Sequence, residues 1–596
     1  MKDLVKKEYE VVVVGGGMAG VCAAIASARH GAKTALVHDR PVLGGNASSE
    51  IRMHICGADC HASRPDARET GIIEEILLEN RRRNPQHSFS IFDTVIWEKV
   101  RFQEGLDLYL NAAMTGVTMG NGQIEKIMVH QLTTEIAYEL TSNIFIDATG
   151  DGYLAHLAGA DYKVGRESSA EFGESLAPEI GDRKTMGNTL MFRAVDTGKP
   201  VRFQKPVWAY SFTEEDLAYR GHSASLAPMA HYGVDSGYWW IELGGEQDTI
   251  RDGEAIRDEL LKTVYGVWDH IKNSGDHGAE NYALDWVGFL PGKRESRRIM
   301  GDYILKQQDL LEGRVFADAV AYGGWPMDVH PPEGFKHRGE PTDFNHLKTV
   351  YTIPYRSYYS RSISNLMMAG RDISATHLAF SSIRVMATCA VGGQAVGTAA
   401  AMTVQYHCLP VEIGKYLPEL QQRLLKDDCY IPGLQNCDPA DKALGGTVTV
   451  SSFIEGCPGS SVINGVSRTV GDSANCWVSD GATAAGQWLE LQFKQGQPIG
   501  EVYLKFDSNL SQEIMTSLSK VTLSRQNPGL PSRLIKDYEL QILDGTEIKF
   551  RLAVHDNYMR FRKHRINPQV SGDRIRVIVG STYGDSAARI YEVRVY

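Results

Sequence analysis

A β-branched apolar run, Tyr9 to Val14, leads without a break into Gly15-x-Gly17-x-x-Gly20 and then into an alanine-rich stretch; no other feature constrains the fold as much. A run apolar on both faces is what a strand needs when helices cover both sides of a parallel sheet. Met18 to His30 reads as the helix that follows, closed by Gly31, and Thr34 to His38 as a second strand, so residues 9 to 38 make one βαβ unit. The first glycine permits the tight turn, the second lets a pyrophosphate approach the backbone, and the third lets helix and strand pack closely. The helix N-terminus then faces phosphate charge. In this setting the motif predicts dinucleotide binding. About 20 residues on, where a carboxylate usually accepts ribose hydroxyls, stand His38 and Asp39, and either residue can serve.

The chain has 596 residues, too many for one hydrophobic core, and about 150 residues per domain suggests roughly three or four core-bearing units. Its net charge of -11, with no basic block beyond Arg81-Arg82-Arg83, argues against a nucleic-acid partner. No apolar stretch reaches the roughly 18 residues of a membrane span, and the N-terminus enters a strand without a signal-like apolar segment. As it stands the sequence reads as cytoplasmic; a chain trimmed of a signal peptide would read as periplasmic. The nine cysteines include no CxxC and read as buried apolar thiols, with Cys56 and Cys60 as an alternative redox pair.

Further along, the texture changes three times. Residues 1 to 160 alternate helical stretches with short strands such as Leu106 to Leu110 and Asn143 to Asp147, the first part of a nucleotide-binding domain. Residues 161 to 345 are rich in aromatic, strand-like segments and are expected to form an inserted α+β substrate domain. Residues 346 to 440 return to strand, glycine turn and long small-residue helix, giving the second part of the nucleotide domain. From 445 to 596 short alternating runs (QWLELQF, GEVYLKF, YELQIL, DRIRVIVG) are punctuated by Gly, Asn and Pro, which predicts an antiparallel β-sandwich. The expected fold class is therefore α/β, a Rossmann-type domain with an insertion, followed by an all-β jelly roll.

Four segments carry a family resemblance: DRPVLGGNASSEIRMHICG, the IDATGDG run at 146 to 152, GKRESRRI at 292 to 299, and NLMMAGRDISATHLAFSSIRVMATCAVGGQAVGTAA at 365 to 400. Together with the glycine fingerprint they resemble the FAD-dependent oxidoreductases of the glutathione-reductase and fumarate-reductase superfamily, over about residues 9 to 425. The resemblance implies FAD as cofactor. It implies contacts from Gly15, Gly17, Met18, Ala19, Gly20, His38, Asp39, Arg40, Gly44, Gly45, Asn46 and Ser48, then from Ala113, Met114, Ala148, Thr149, Gly150 and Asp151. In the second segment it implies Gly370, Arg371, Asp372, Ser382, Arg384, Val385 and Met386, with a helix starting near Ser382 whose N-terminal dipole would stabilise a reduced, anionic flavin.

FAD supplies the hydride chemistry, so the protein must bind, orient and exchange a proton. The candidates for catalysis are His54, His377, Arg52, Arg294 and Arg297. A His can exchange protons at neutral pH and an Arg can clamp a carboxylate. The competing readings are that the histidines only hydrogen-bond FAD or backbone, and that the arginines of the RESRRI element pair with carboxylates at a domain junction. Trp239-Trp240 is either a sugar-stacking platform or core. No second strand-GxGxxG-helix unit is evident, which disfavours the pyridine-nucleotide disulfide reductases. Residues 447 to 596 resemble the discoidin, galactose-binding-like jelly roll, through Gln487-Trp488-Leu489-Glu490-Leu491, Gly500-Glu501-Val502-Tyr503-Leu504 and Arg589-Ile590-Tyr591-Glu592-Val593. That likeness implies either carbohydrate binding or a structural module. The expectation is hydride transfer between flavin N5 and a small organic or sugar-derived substrate. The alternatives are a glycan-binding or assembly protein with a structural FAD, and a flavin monooxygenase.

Overall fold

The computed structural model describes residues 4–61, 63–222 and 234–596. It divides into two compact units: Met1–Cys60 with His87–Leu417 and Met515–Gln526, and His61–Gln86 with Pro418–Ile514 and Asn527–Tyr596.

In the first unit, β1 (Leu4–Val14) is followed by helix α1 (Met18–Arg29) and β2 (Thr34–Val37), the βαβ unit read from the sequence. β3 (Leu106–Tyr109), β4 (Ala112–Gly120), β5 (Gln123–Gln131) and β6 (Ile136–Asp147) complete the sheet in the order β3-β2-β1-β6-β5-β4. β1, β2, β3 and β6 run parallel, and β4 and β5 are antiparallel. The strand Leu366–Met368 pairs in parallel with Phe145 to Asp147 of β6, so a segment more than 200 residues downstream completes the sheet. Val11 to Val13 have no solvent exposure, as a doubly covered strand requires.

The long helix Met386–Tyr406 packs on α1 through glycines: a Cβ on Gly393 would lie 2.1 Å from the Ala19 carbonyl oxygen, and one on Gly397 2.0 Å from that of Ala23. It is preceded by a separate short helix, His377–Ile383, at a bend of 93°. The helix expected to start near Ser382 therefore starts at Met386. Val385 is extended at its N-cap and interrupts the path, so Ser382 lies in the last turn of the preceding helix. Among the described residues no single helix is long and apolar enough to cross a membrane.

The inserted region has its own aromatic core around the helix Gly253–Asn273, including Phe192, Tyr238, Trp240 and Trp268. Trp240 is buried and stacked near Phe335, and Trp239 packs partly buried against the same core, which makes the pair core residues.

The second unit is mainly antiparallel β, with the helices Ile72–Arg83 and Leu417–Lys426 and short turns beside the sheet. Its two longest strands, Trp488–Phe506 and Phe561–Thr582, shift register midway and exchange partners, which folds the sheet over a core of Leu489, Leu491, Val502, Leu504, Ile575 and Val577. Residues 61–86, expected within the nucleotide domain, belong here. Arg68 forms a bidentate pair with Glu74 (Nη2–Oε1 2.7 Å), and the same guanidinium donates to the Ser508 carbonyl at 3.2 Å.

Candidate functional site

The parallel strands end together, and a cavity of about 390 Å3 opens at their carboxyl ends, a size ordinary for small-molecule and cofactor sites. Its wall comes from four loops. Gly15 to Ala19 follow β1, and His38 to Arg40 follow β2, with Gly44 to Asn46 just beyond; Ala148 to Asp151 follow β6, and Ala369 to Arg371 follow Leu366–Met368. Ala113 and Met114 of β4, then Arg384 and Met386, complete the part shared with the sequence reading; Cys389 joins them from the long helix, while Leu290, Pro291 and Lys293 enter from the inserted region.

The glycines explain the wall's closeness. Gly15 has φ +110°, and a Cβ there would stand 2.2 Å from the Ala148 carbonyl oxygen. Gly17 differs, because a Cβ on it would meet nothing within 4 Å: its missing side chain keeps the cavity floor open. The Gly44-Gly45-Asn46 turn is laid onto this loop by a hydrogen bond from the Gly44 N–H to the Gly16 carbonyl at 2.8 Å.

His38 and Asp39, left as alternatives by the sequence, now separate. The Gly16 N–H donates to His38 Nδ1 at 3.0 Å, so that nitrogen carries no proton, and Nε2, which must then carry it, lies 3.1 Å from the Val42 carbonyl oxygen. Both ring nitrogens are committed, and burial pushes the imidazole below its usual pKa, favouring the neutral form. Asp39, with a side chain 64% exposed, lines the cavity with its carboxylate available. Arg40 is held by Glu50 through Nε at 2.6 Å and Nη2 at 3.2 Å.

At the other side of the cavity Asp151 gathers three partners. Lys293 Nζ is 2.5 Å from Oδ2, Ser296 Oγ donates to Oδ1 at 2.8 Å, and Arg371 Nη2 stands 3.4 Å away. Burial alone would raise this carboxyl, but the Lys293 and Arg371 charges outweigh it and hold Asp151 below the ordinary carboxylate range. Two wall cations keep buried N–H groups without a protein acceptor, Arg371 Nη1 and Arg384 Nε. Unspent buried donors, an open glycine floor and the Met386 helix N-terminus suit an anionic, pyrophosphate-bearing group, and the residues fit FAD.

Several residues expected at the cofactor lie behind the wall instead. Gly20 packs α1 against the Gly15 carbonyl, where a Cβ would stand 1.9 Å away. Ser48 is buried beneath the GGN turn, and Ser382 Oγ engages Tyr351 and the Trp325 carbonyl. Val385 is the N-cap of the helix whose first residue, Met386, lines the cavity. Asp372 is buried, and burial with the neighbouring Asp147 pushes its carboxyl well above the usual range.

None of the five side chains proposed for catalysis reaches the wall. His377 Nδ1 lies 2.9 Å from Glu295, which also takes Arg298 at 3.1 Å, while Arg298 reaches Glu167 at 3.0 Å; all four are buried. Arg294 lies 3.2 Å from Glu242 and donates to Thr189 and to the Trp239 carbonyl at 3.0 Å. Glu242 is also 2.7 Å from His330, whose other nitrogen faces Asp328, the partner of Arg384. Arg297 donates to the Asp151 carbonyl at 3.1 Å and sits over Tyr162. Arg52, at φ +64°, places its guanidinium 4.3 Å from the Trp286 ring centre, and His54 is half-buried just beyond. Cys56 and Cys60 are both half-buried. The residue that sequence reasoning missed is Lys293: it stands immediately before the arginines that drew attention, and only the fold shows that it, not they, reaches the cavity.

A parallel sheet with its ligand cavity at the strand ends, floored by GxGxxG, defines a dinucleotide-binding protein. The chain belongs to the FAD dependent oxidoreductase family, whose sequence model matches residues 10–424. Its cofactor is FAD. The chain is similar to the tRNA uridine 5-carboxymethylaminomethyl modification enzyme MnmG of Treponema denticola, 25% identical over 236 residues. That alignment covers 35% of this chain and 36% of the relative, so the match spans about a third of the curated relative's length. Solved structures similar to a part of the chain include the family 32 carbohydrate-binding module of C. perfringens NanJ in complex with galactose, at 15% identity and TM-score 0.19, covering 26% of this chain and 95% of that one. Another is the family 32 module of Streptococcus pneumoniae EndoD, at 15% identity and TM-score 0.21, covering 26% and 99%.

Proposed function

We propose that this oxidoreductase transfers a hydride between FAD N5 and a small organic or sugar-derived substrate beside Lys293. The observation that carries the reading is the Lys293–Asp151–Ser296 cluster, in which Lys293 of the inserted region meets Asp151 of the β6 loop at the cofactor cavity. FAD, when bound, supplies the acceptor or donor of the hydride. The chain's residues do the rest. Asp39 accepts the ribose hydroxyls, with His38 as a buttress beneath it. Arg371 and Arg384 offer their unspent N–H groups to anionic oxygens. Lys293, held at Asp151, turns its other N–H donors toward a substrate oxygen and holds a proton there.

The test mixes the anaerobic holoprotein with sugars, hydroxy acids and NAD(P)H and follows the flavin's visible absorbance. Rapid bleaching by one organic class, slowed at least tenfold in Lys293→Met with FAD content unchanged, supports the reading. Bleaching by dithionite alone points to a structural FAD, and oxygen uptake driven by NADPH points to a monooxygenase. For the sandwich, the loop bearing Phe453, 52% exposed, beside Ser452 and Gln487, which hydrogen-bond each other, offers an aromatic face and polar groups suited to a sugar. Glycan binding by the full chain that is lost in Phe453→Ala is the expected result.

A further inference from the structure

Away from the cofactor cavity, three histidines and one glutamate of the inserted region converge. Glu214, His222, His270 and His277 each present one donor atom, all within 4.8 Å of one another. His222, His270 and His277 are buried, at 2%, 2% and 6% exposure, and their ring centres are 4.9 to 5.2 Å apart.

The hydrogen bonds fix the protons. His222 Nδ1 lies 2.6 Å from the Arg220 carbonyl oxygen and His270 Nδ1 lies 3.0 Å from that of Phe212. A carbonyl only accepts, so each Nδ1 carries the proton, and in the neutral ring each Nε2 is a bare lone pair. Those lone pairs point at a carboxylate: His222 Nε2 is 3.2 Å from Glu214 Oε2, and His270 Nε2 is 3.3 Å from Oε1. His277 Nε2 stands 3.2 Å from Oε1 and makes no hydrogen bond. The cluster therefore aims nitrogen lone pairs at carboxylate oxygens, an arrangement that a divalent cation between them resolves.

We propose that Glu214, His222, His270 and His277 bind one zinc ion in a structural site. Zinc takes nitrogen and oxygen ligands at about 2.0–2.1 Å in a tetrahedron, whose edge is then about 3.3 Å. The separations of His270 and His277 Nε2 from Glu214 Oε1, 3.3 and 3.2 Å, match that edge, and His222 Nε2 lies 3.2 Å from the other carboxylate oxygen. The two Nδ1–H···O=C bonds are the outer contacts that orient metal-bound imidazoles. His270 lies in the last turn of the helix Gly253–Asn273, where the carbonyl ends favour a cation. The ion ties that helix end to the segments carrying residues 214–222 and His277, at the edge of the aromatic core.

The test equilibrates the purified full-length holoprotein with zinc, removes unbound metal by gel filtration, and measures zinc by plasma mass spectrometry alongside Tm. The expected result is about one zinc per chain and a higher Tm than in chelator-treated protein. Cobalt replacement should give the visible bands of a tetrahedral site. His222→Ala/His277→Ala should lose the zinc, and Glu214→Gln, at an exposed position that spares the fold, should weaken retention at least tenfold against a chelator. Wild-type protein that retains no zinc, or a Glu214→Gln variant that retains it as tightly as wild type, overturns the proposal.

Discussion

The cofactor wall and the charged lattice beside it come from neighbouring stretches of chain but are built on opposite rules. The wall is mostly backbone and glycine, and it works by leaving space and a few unspent donors. The lattice of Glu167, Arg298, Glu295 and His377, with Glu242, Arg294, His330 and Asp328 beside it, is side chain against side chain, with little exposed. The wall should therefore fail by filling and the lattice by subtraction.

The largest effect is expected from subtraction. Arg298→Ala leaves Glu167 and Glu295 buried and short of a partner, a loss of about 3–5 kcal/mol, visible as a large fall in Tm; a fall of under 2 °C would break the comparison. Gly15→Ala comes next: the left-handed φ costs about 1–2 kcal/mol and the collision with the Ala148 carbonyl adds to it, so the purified variant should be colourless. Gly17→Ala sharpens the contrast, because its Cβ meets no protein atom. Stability should stay within about 0.5 kcal/mol while FAD affinity, by titration of apoprotein, drops at least tenfold. Asp39→Asn should weaken FAD by about 1 kcal/mol, whereas an unchanged affinity would return the ribose contact to His38.

The smallest effect concerns pH. Asp372 has its carboxyl raised in the fold, so its contribution is fully present below the unfolded value of about 3.9 and is lost as pH rises toward the folded value. Asp372→Asn should consequently gain about 1–2 °C in Tm over wild type at pH 8, with no gain at pH 4. Scanning calorimetry at the two pH values checks the sign.

The same contrast explains what the sequence disclosed. The βαβ unit, the glycine floor and the sandwich strands were legible because each is written in local spacing: a strand run beside its glycines, or alternation with period two. The second flavin segment was legible as a pattern, but its helix start was misplaced from Met386 to Ser382, since the bend at Arg384 and Val385 carries no glycine or proline to mark it. Chemistry in the 292–299 element was read from residue type, which favoured the arginines. Burial and partner choice decide that Arg294 and Arg298 face carboxylates while Lys293 reaches the cavity, and the partners Glu242, Glu167 and Asp151 lie 52, 131 and 142 residues away in the chain. The zinc ligands are likewise scattered, with 47 positions between His222 and His270.

The second unit's composition has a consequence for how the molecule can be made and rearranged. Because His61–Gln86 belongs to the same compact body as Pro418–Ile514 and Asn527–Tyr596, the β-rich part is not a bead added at the end of a string. During synthesis its helix Ile72–Arg83 emerges more than 300 residues before its strands, and must wait for them. A gene fusion or deletion cut near residue 445 would sever that body rather than separate two modules, leaving a helix without its partners on one side and an unfinished sandwich on the other.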